Sequence, residues 1–204
     1  MSHFITLEGC EGVGKSTALA FIKNYFAEKK MDCVVTREPG GTVIGESIRE
    51  ILLANNHEVI FSDTELLLLF AARAQHIAQV IKPALKAGKI VVSDRFTDAS
   101  FAYQGGGRHI LFNRIEILAD WVQGDWQPTL TLLLDAPVEI GLARMRQRGK
   151  KDRIESEKKE FFERVRAVYL SRAKQFPERF VVINAAESLE NVQVQIKQVL
   201  DKKV

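Results

Sequence analysis

The stretch Gly9-Cys10-Glu11-Gly12-Val13-Gly14-Lys15-Ser16-Thr17 follows the apolar run Phe4 to Leu7 and precedes a segment of helical periodicity from Lys15 to Lys29. A strand, a glycine loop and a helix in that order form a phosphate-binding P-loop. The glycines let the backbone turn tightly and aim several N–H groups inward, and the helix adds the positive end of its dipole at the same point. A polyphosphate is the guest such a loop accepts. Lys15 is placed to reach the outer phosphates as a point charge, and Ser16 to ligate a magnesium ion that bridges them.

Outward from this loop, apolar runs rich in β-branched residues recur at Cys33 to Thr36, Ile90 to Val92, Thr129 to Leu134 and Phe180 to Ile183. Between them the spacing of apolar residues predicts helices over Gly45 to Leu53, Asp63 to Lys86, Leu111 to Val122, Val138 to Gln147, Lys158 to Gln175 and Leu189 to Asp201. Near-continuous apolar strands indicate burial on both faces. The class is therefore α/β, with five parallel strands and helices on both faces of the sheet. In such sheets ligands collect beyond the carboxyl ends of the strands, so the residues after each run carry the chemistry.

Composition narrows the rest. The 204 residues are 46% apolar, enough for one substantial core, and no linker or low-complexity segment divides them, so one domain over residues 1–204 is expected. Basic residues exceed acidic ones by 29 to 26, too small and dispersed a surplus to imply a nucleic-acid surface. Cys10 and Cys33 have no metal-like spacing. Met1-Ser2-His3 runs into the first strand without a basic, apolar leader, and no apolar block approaches the length of a bilayer span. A cytoplasmic protein with free thiols and no membrane segment is expected.

After the second strand, Thr36-Arg37-Glu38-Pro39-Gly40-Gly41 forms a rigid turn that brings an arginine to the loop's end of the sheet, and Arg49 lies just downstream. These imply a second anion site. After the third strand, Ser93-Asp94-Arg95-Phe96 releases a carboxylate and an arginine from an apolar run: Asp94 suits a magnesium-bound water, Arg95 a bidentate phosphate clamp, and a structural ion pair is the alternative. Ala102-Tyr103-Gln104-Gly105-Gly106-Gly107-Arg108 adds an aromatic hydroxyl, a primary amide and what reads as a flexible turn. Phe70 and Arg73, three apart, share a helix face on which a base could stack, although Phe70 by pattern alone reads as core. From Arg144 to Arg153 six basic residues meet one acid, a local excess of +5, which argues for a mobile lid over phosphates at about residues 144–155.

Together these motifs, with Asp152-Arg153-Ile154-Glu155, resemble bacterial thymidylate kinases across nearly the whole length. The resemblance implies a P-loop nucleoside monophosphate kinase-like core, usually homodimeric, that transfers the γ-phosphoryl of ATP to dTMP with magnesium. It implies that Glu11 binds the deoxyribose 3′-hydroxyl, and that Arg37, Arg49 and Arg95 gather the dTMP phosphate. Phe70 would stack on thymine and Arg73 would donate to a thymine carbonyl. Ser100 and Gln104 would lie beside the base, and Tyr103 would crowd the place of a ribose 2′-hydroxyl. Some family members carry an arginine in the loop where this chain has Gly12. The resemblance then places the chain in the group with a basic lid, with Arg148 and Arg153 supplying the cation and Arg144 flanking the adenine. Phe96 and Ala99 stand where other members often carry Tyr or His, and Ser, respectively.

On this reading catalysis is positioning and charge neutralisation, carried by Lys15, Arg95 and the lid arginines. Another nucleotide or deoxynucleoside kinase, a nucleotide-dependent switch or binding protein, and a nucleic-acid-binding ATPase are the rival readings. Neither an Asn-Lys-x-Asp nor a Thr-Lys-x-Asp run for guanine is present to favour the switch. Cys10, inside the loop, is a candidate target for a thiol reagent that blocks phosphate entry.

Overall fold

The computed structural model describes residues 3–55, 58–147 and 152–204. Five strands, β1 (Phe4–Glu8), β2 (Cys33–Arg37), β3 (Ile90–Asp94), β4 (Leu130–Asp135) and β5 (Phe180–Asn184), form one all-parallel sheet in the order β2-β3-β1-β4-β5. The chain leaves β1 toward one edge, returns through β3, then crosses to β4. The order thus reverses around β1, and a crevice opens beyond the carboxyl ends of β1, β3 and β4. Register fixes what meets there: Leu7 pairs with Asp94, and Glu8 with Leu133.

Strand periodicity assigns the two faces. Ile5, Leu7, Ile90 and Val92 enter one buried cluster with Ile22 and Phe26 of α1 (Lys15–Glu28), while Phe4 and Val91 enter another with Ile77, Ile81 and Phe96. The three inner strands are almost wholly buried. The edge strands β2 and β5 carry half-buried and exposed positions, so the two-faced burial expected for every strand holds only for the centre.

The remaining helices are α2 (Val43–Leu53), α3 (Ser62–His76), α4 (Lys82–Lys86), α5 (Thr97–Ser100), α6 (Phe112–Val122), α7 (Val138–Arg146), α8 (Lys159–Gln175) and α9 (Leu189–Lys203). Thr42 caps α2 by accepting from the Gly45 amide at 3.0 Å, and Ser188 caps α9 through Asn191. The single helix expected over Asp63 to Lys86 is interrupted by a wide π-helical turn at Ile77–Ile81, where the Lys82 amide bonds to the Ile77 carbonyl. Pro83, with no N–H, follows immediately and removes a donor from the ordinary ladder.

One expectation is corrected. The segment read as a flexible turn around Gly105-Gly106-Gly107 is helical: α5 continues into a π-helical stretch at Phe101–Gly107. The glycines serve packing. A Cβ on Gly105 would lie 2.4 Å from the Phe112 ring, on Gly106 3.0 Å from the Arg164 carbonyl, and on Gly107 2.3 Å from the Phe161 ring. Arg164 of α8 donates to the carbonyls of Gly106 and Gly107 at 3.1 and 3.0 Å, satisfying groups a helix end leaves open. Local turn propensity yields here to the close approach of α8.

Candidate active site

Beyond the carboxyl ends of β1 and β3 lies a cleft of about 670 Å³. The glycine loop forms one wall. Gly14, at φ 96°, is the left-handed residue that starts α1, and Ser16 and Thr17 open to solvent on the first turn. Lys15 folds back over the loop, donating to the carbonyls of Gly9 and Cys10 at 3.0 and 2.9 Å, and burial and then Arg95 lower its ammonium's pKa. Gly12 (φ 73°) sits against α7: a Cβ there would lie 2.1 Å from the Gly141 carbonyl, and one on Gly141 2.5 Å from the Glu11 carbonyl. Val13 and Cys10 face the core. The Cys10 thiol lies 3.9 Å from the Phe162 carbonyl, and its pKa is pushed up to about 12, chiefly by burial.

Arg95 emerges from β3 at φ 70°, a left-handed conformation that costs a non-glycine residue energy. Its guanidinium explains the position. It donates to Gly9 O at 3.0 Å, to the Tyr169 hydroxyl at 3.1 Å and to Glu11 Oε1 at 2.7 Å, and lies 4.6 Å from the centre of the Tyr103 ring. The Tyr103 hydroxyl donates to the other oxygen of Glu11. Burial is the first cause that holds the Tyr103 hydroxyl well above its ordinary pKa, so it remains a donor. Beside Arg95, Asp94 Oδ1 is buried with no hydrogen-bond partner among the described residues. That orphaned carboxylate oxygen and the Ser16 side chain both belong to residues lining the cleft, and their oxygen chemistry fits a magnesium ion. Among the described residues no three His, Cys, Asp or Glu side chains gather into a metal cage of their own.

The opposite wall carries the other candidates. Arg73 is 2% exposed: Nε donates to Glu38 at 2.7 Å, Nη2 to the Phe96 carbonyl at 3.2 Å and to Ser100 Oγ at 3.0 Å, and Nη1 is buried without a partner. Gln104 donates to Glu65 at 2.7 Å. Arg49 donates to the Pro39 carbonyl and lines the cleft. Arg37 does not line it; it is exposed and paired with Glu46 at 2.7 Å. Phe70 is also not on the cleft wall. It packs with Leu66 and Phe101 in a third buried cluster, its ring 4.5 Å beneath the Arg73 guanidinium. From the basic segment, Arg144 reaches the cleft and donates to the Ala185 carbonyl at 3.1 Å. Arg153 is turned to the acceptor side, donating to the Leu52 carbonyl at 2.8 Å and to Glu65 at 2.6 Å. Arg148 lies outside the described residues.

Three supporting residues escaped the sequence reading. Glu38 follows β2 and precedes Pro39 through a cis peptide bond; its carboxylate takes both Arg73 and His76, whose far nitrogen meets Thr36 at 2.6 Å. Tyr169 of α8 bridges Arg95 and the buried Glu8 at 2.7 Å. Glu65 is 2% exposed and joins Gln104, Arg108 and Arg153. For Glu65 a signal was present, since a carboxylate at the head of Leu66-Leu67-Leu68-Leu69-Phe70 must be paired if it is buried.

The thymidylate kinase family model matches residues 7–196. A thymidylate kinase of Pseudomonas putida (strain W619) is 55% identical over 197 residues, covering 97% of this chain and 95% of that protein. One from Vesicomyosocius okutanii is 53% identical over 197 residues, covering 97% and 96%. Among solved structures, the thymidylate kinase of Ehrlichia chaffeensis superposes with a TM-score of 0.80 at 34% identity, over 98% of each chain.

Proposed function

The chain belongs to the thymidylate kinase family, so its reaction is the phosphorylation of dTMP to dTDP, and we propose that ATP with magnesium is the donor, held at the Gly9–Thr17 loop. The observation that carries the site assignment is a single cleft shared by a phosphate loop and a pocket of directed hydrogen-bonding groups, with Arg95 between them.

The roles follow from position. Loop amides and Lys15 take the ATP phosphates, and Lys15 reaches them by leaving the carbonyls of Gly9 and Cys10. Ser16 and Asp94 hold magnesium, which supplies neutralisation of phosphate charge. Arg95 and Arg49, which line the cleft, gather the dTMP phosphate and set it in line with the loop, and Arg37 joins them by leaving Glu46. The attacking oxygen needs no base, because a phosphate monoester loses its second proton near about pH 6. Glu11 and Tyr103 meet the deoxyribose; their mutual hydrogen bond closes the place of a 2′-hydroxyl. Arg73, Ser100 and Gln104 read the base, and Phe70, buried beneath Arg73, would have to become uncovered before it could stack on thymine.

Residues 144–155 act as the lid of one kinase domain, with Arg144 beside the adenine and Arg148 and Arg153 bringing cations to the transferring group. Arg153 must exchange Glu65 for phosphate to do so. Leu67 of α3 and Ile117 and Trp121 of α6 are exposed, at 58%, 65% and 82%, on helices joined by an Arg114–Asp63 ion pair, which supports a homodimer through this face. Action in the cytoplasm belongs to the same reading; no described helix is long and apolar enough to cross a membrane.

A coupled ADP-release assay with ATP and magnesium, run on dTMP, dUMP, dCMP, AMP, UMP and thymidine, tests the reading. Turnover confined to dTMP, with weaker dUMP, is expected. Preference for thymidine or another monophosphate overturns the acceptor assignment. Sedimentation of the wild type and of Trp121→Asp tests the dimer.

A further inference from the structure

We propose that Glu65 is a positioning residue that fixes the amide of Gln104, so that the acceptor pocket shows a base one donor beside one acceptor and thereby admits thymine and uracil while refusing cytosine. The inference rests on the reaction proposed above and deepens it from acceptor class to the origin of base choice.

An amide is ambiguous: rotated by half a turn, it exchanges a donor for an acceptor in the same place. A carboxylate facing it removes the ambiguity. Glu65 Oε1 can only accept, so Gln104 turns Nε2 toward it, at 2.7 Å. The alternative rotamer would set Gln104 Oε1 against a carboxylate oxygen at that distance, two acceptors in contact inside a buried site. Glu65 is itself immobilised: it is 2% exposed, and Arg153 Nη2 holds its far oxygen at 2.6 Å while Arg108 Nε approaches the near one at 3.4 Å. With Nε2 committed, Gln104 Oε1 takes no hydrogen bond from the described residues, and the side chain lines the cleft.

Arg73 supplies the complementary half. Its Nε and Nη2 are bound to Glu38, the Phe96 carbonyl and Ser100, and Nη1 alone is buried without a partner. The same wall therefore holds one uncommitted N–H on Arg73, shielded from solvent so that the guanidinium must turn slightly to meet a base, and a carbonyl oxygen on Gln104. Thymine and uracil present the matching pair, a C4 carbonyl next to an N3–H. Cytosine presents the reverse, an amino group next to an unprotonated N3, and would meet donor with donor and acceptor with acceptor. Unpaired buried polar groups discriminate more strongly than lost apolar contact, so the orientation of one amide can decide the base.

The test is Glu65→Gln. Its amide can pair with Gln104 in either orientation, so the bias is removed with little change of shape. The kcat/KM ratio of dTMP over dCMP is measured for wild type and variant, with dCMP read as a competitive inhibitor where its turnover is too slow, and dUMP as control. We expect the dTMP-over-dCMP ratio to fall about tenfold or more, while the dTMP-over-dUMP ratio holds. A uniform loss of activity with the dTMP-over-dCMP ratio intact would assign Glu65 a structural role and overturn the proposal. Should Glu65→Gln not fold, Gln104→Met tests the same point, since it removes the amide at nearly constant size. An unchanged ratio overturns the proposal, and a lower one supports it when Glu65→Asp, which withdraws the carboxylate from the amide, lowers the ratio as well. Wild-type protein inactive on dTMP would instead overturn the parent reaction, before any variant is compared.

Discussion

Glu11 of the glycine loop and Arg95 at the end of β3 form an ion pair at 2.7 Å, both side chains mostly buried, across the junction of the donor and acceptor halves of the cleft. On the proposed reading, the pair holds the guanidinium where the transferring phosphoryl group passes. Arg95→Ala is therefore expected to lower kcat by about a hundredfold or more, the scale of losing one preorganised donor to a transition state, and Lys15→Ala to do likewise. Both variants should stay folded by circular dichroism. An active, folded Arg95→Ala enzyme would remove this residue from the mechanism.

The left-handed backbone of Arg95 separates catalysis from stability at one position. Arg95→Gly should be as inactive as Arg95→Ala but more stable than it, by about 1 kcal/mol, because glycine accepts that conformation without strain. Equal melting temperatures for the two variants would show that the backbone relaxes once the guanidinium is gone.

Gly107 faces Phe161 with no room for a methyl group. Gly107→Ala should destabilise the protein by about 1–3 kcal/mol in urea unfolding, the cost of overpacking, and should raise the KM for dTMP, since Tyr103 and Gln104 ride on the same helical stretch. A neutral Gly107→Ala would mean that α8 can withdraw.

Cys10 sits inside the nucleotide loop but behaves as a core residue. With its thiol pushed up to about 12, it stays protonated throughout the neutral range, and its side chain packs against the core. Alkylation by iodoacetamide near pH 7.5 is expected to be negligible in the native protein and rapid after unfolding, with no protection by ATP to be seen. The thiol-reagent inhibition that its place in the sequence suggests should not occur.

Glu8, wholly buried at the end of β1, is pushed up to about 8 from its ordinary 4.5, first by burial and then by the Asp98 carboxylate. Between these values the folded chain binds a proton that the unfolded chain releases. The stability Glu8 contributes is thus complete below about pH 4.5 and lost as pH rises through about 8. The wild-type melting temperature should fall between about pH 4.5 and pH 8, and Glu8→Gln should flatten that slope. A parallel slope in the variant would locate the titration elsewhere.

Much of this was legible in the chain. The strand-loop-helix of residues 4–28 and the apolar runs of β1 to β5 follow from short-range periodicity, and Arg95 from a charge leaving an apolar strand. What stayed hidden depends on distant partners. Residues 101–107 read as a turn because three glycines favour one, and only the rings of Phe112 and Phe161 reveal why they form a helix. The partners of Glu38 and Glu65 could not be read, because Arg73 and His76 for one and Gln104 and Arg153 for the other lie 35 to 88 positions away; at most, Glu65 at the head of an apolar run signalled that some partner was needed. Phe70 is the instructive case: its spacing marks it as core, and it is core, yet through Arg73 it also underlies the cleft.

The mutual contact of Gly12 with Gly141 has an evolutionary consequence. A side chain at either position meets the other's stretch of backbone, at 2.1 Å in one direction and 2.5 Å in the other. On the proposed reading, in which the cation sits on the lid, a lineage with this packing does not move it to the loop by one codon change, because arginine at residue 12 must first displace α7, the helix that leads toward residues 144–155. The two ways of equipping the enzyme are thereby separated by a valley that single substitutions do not cross, and the choice, once made, is inherited with the helix packing.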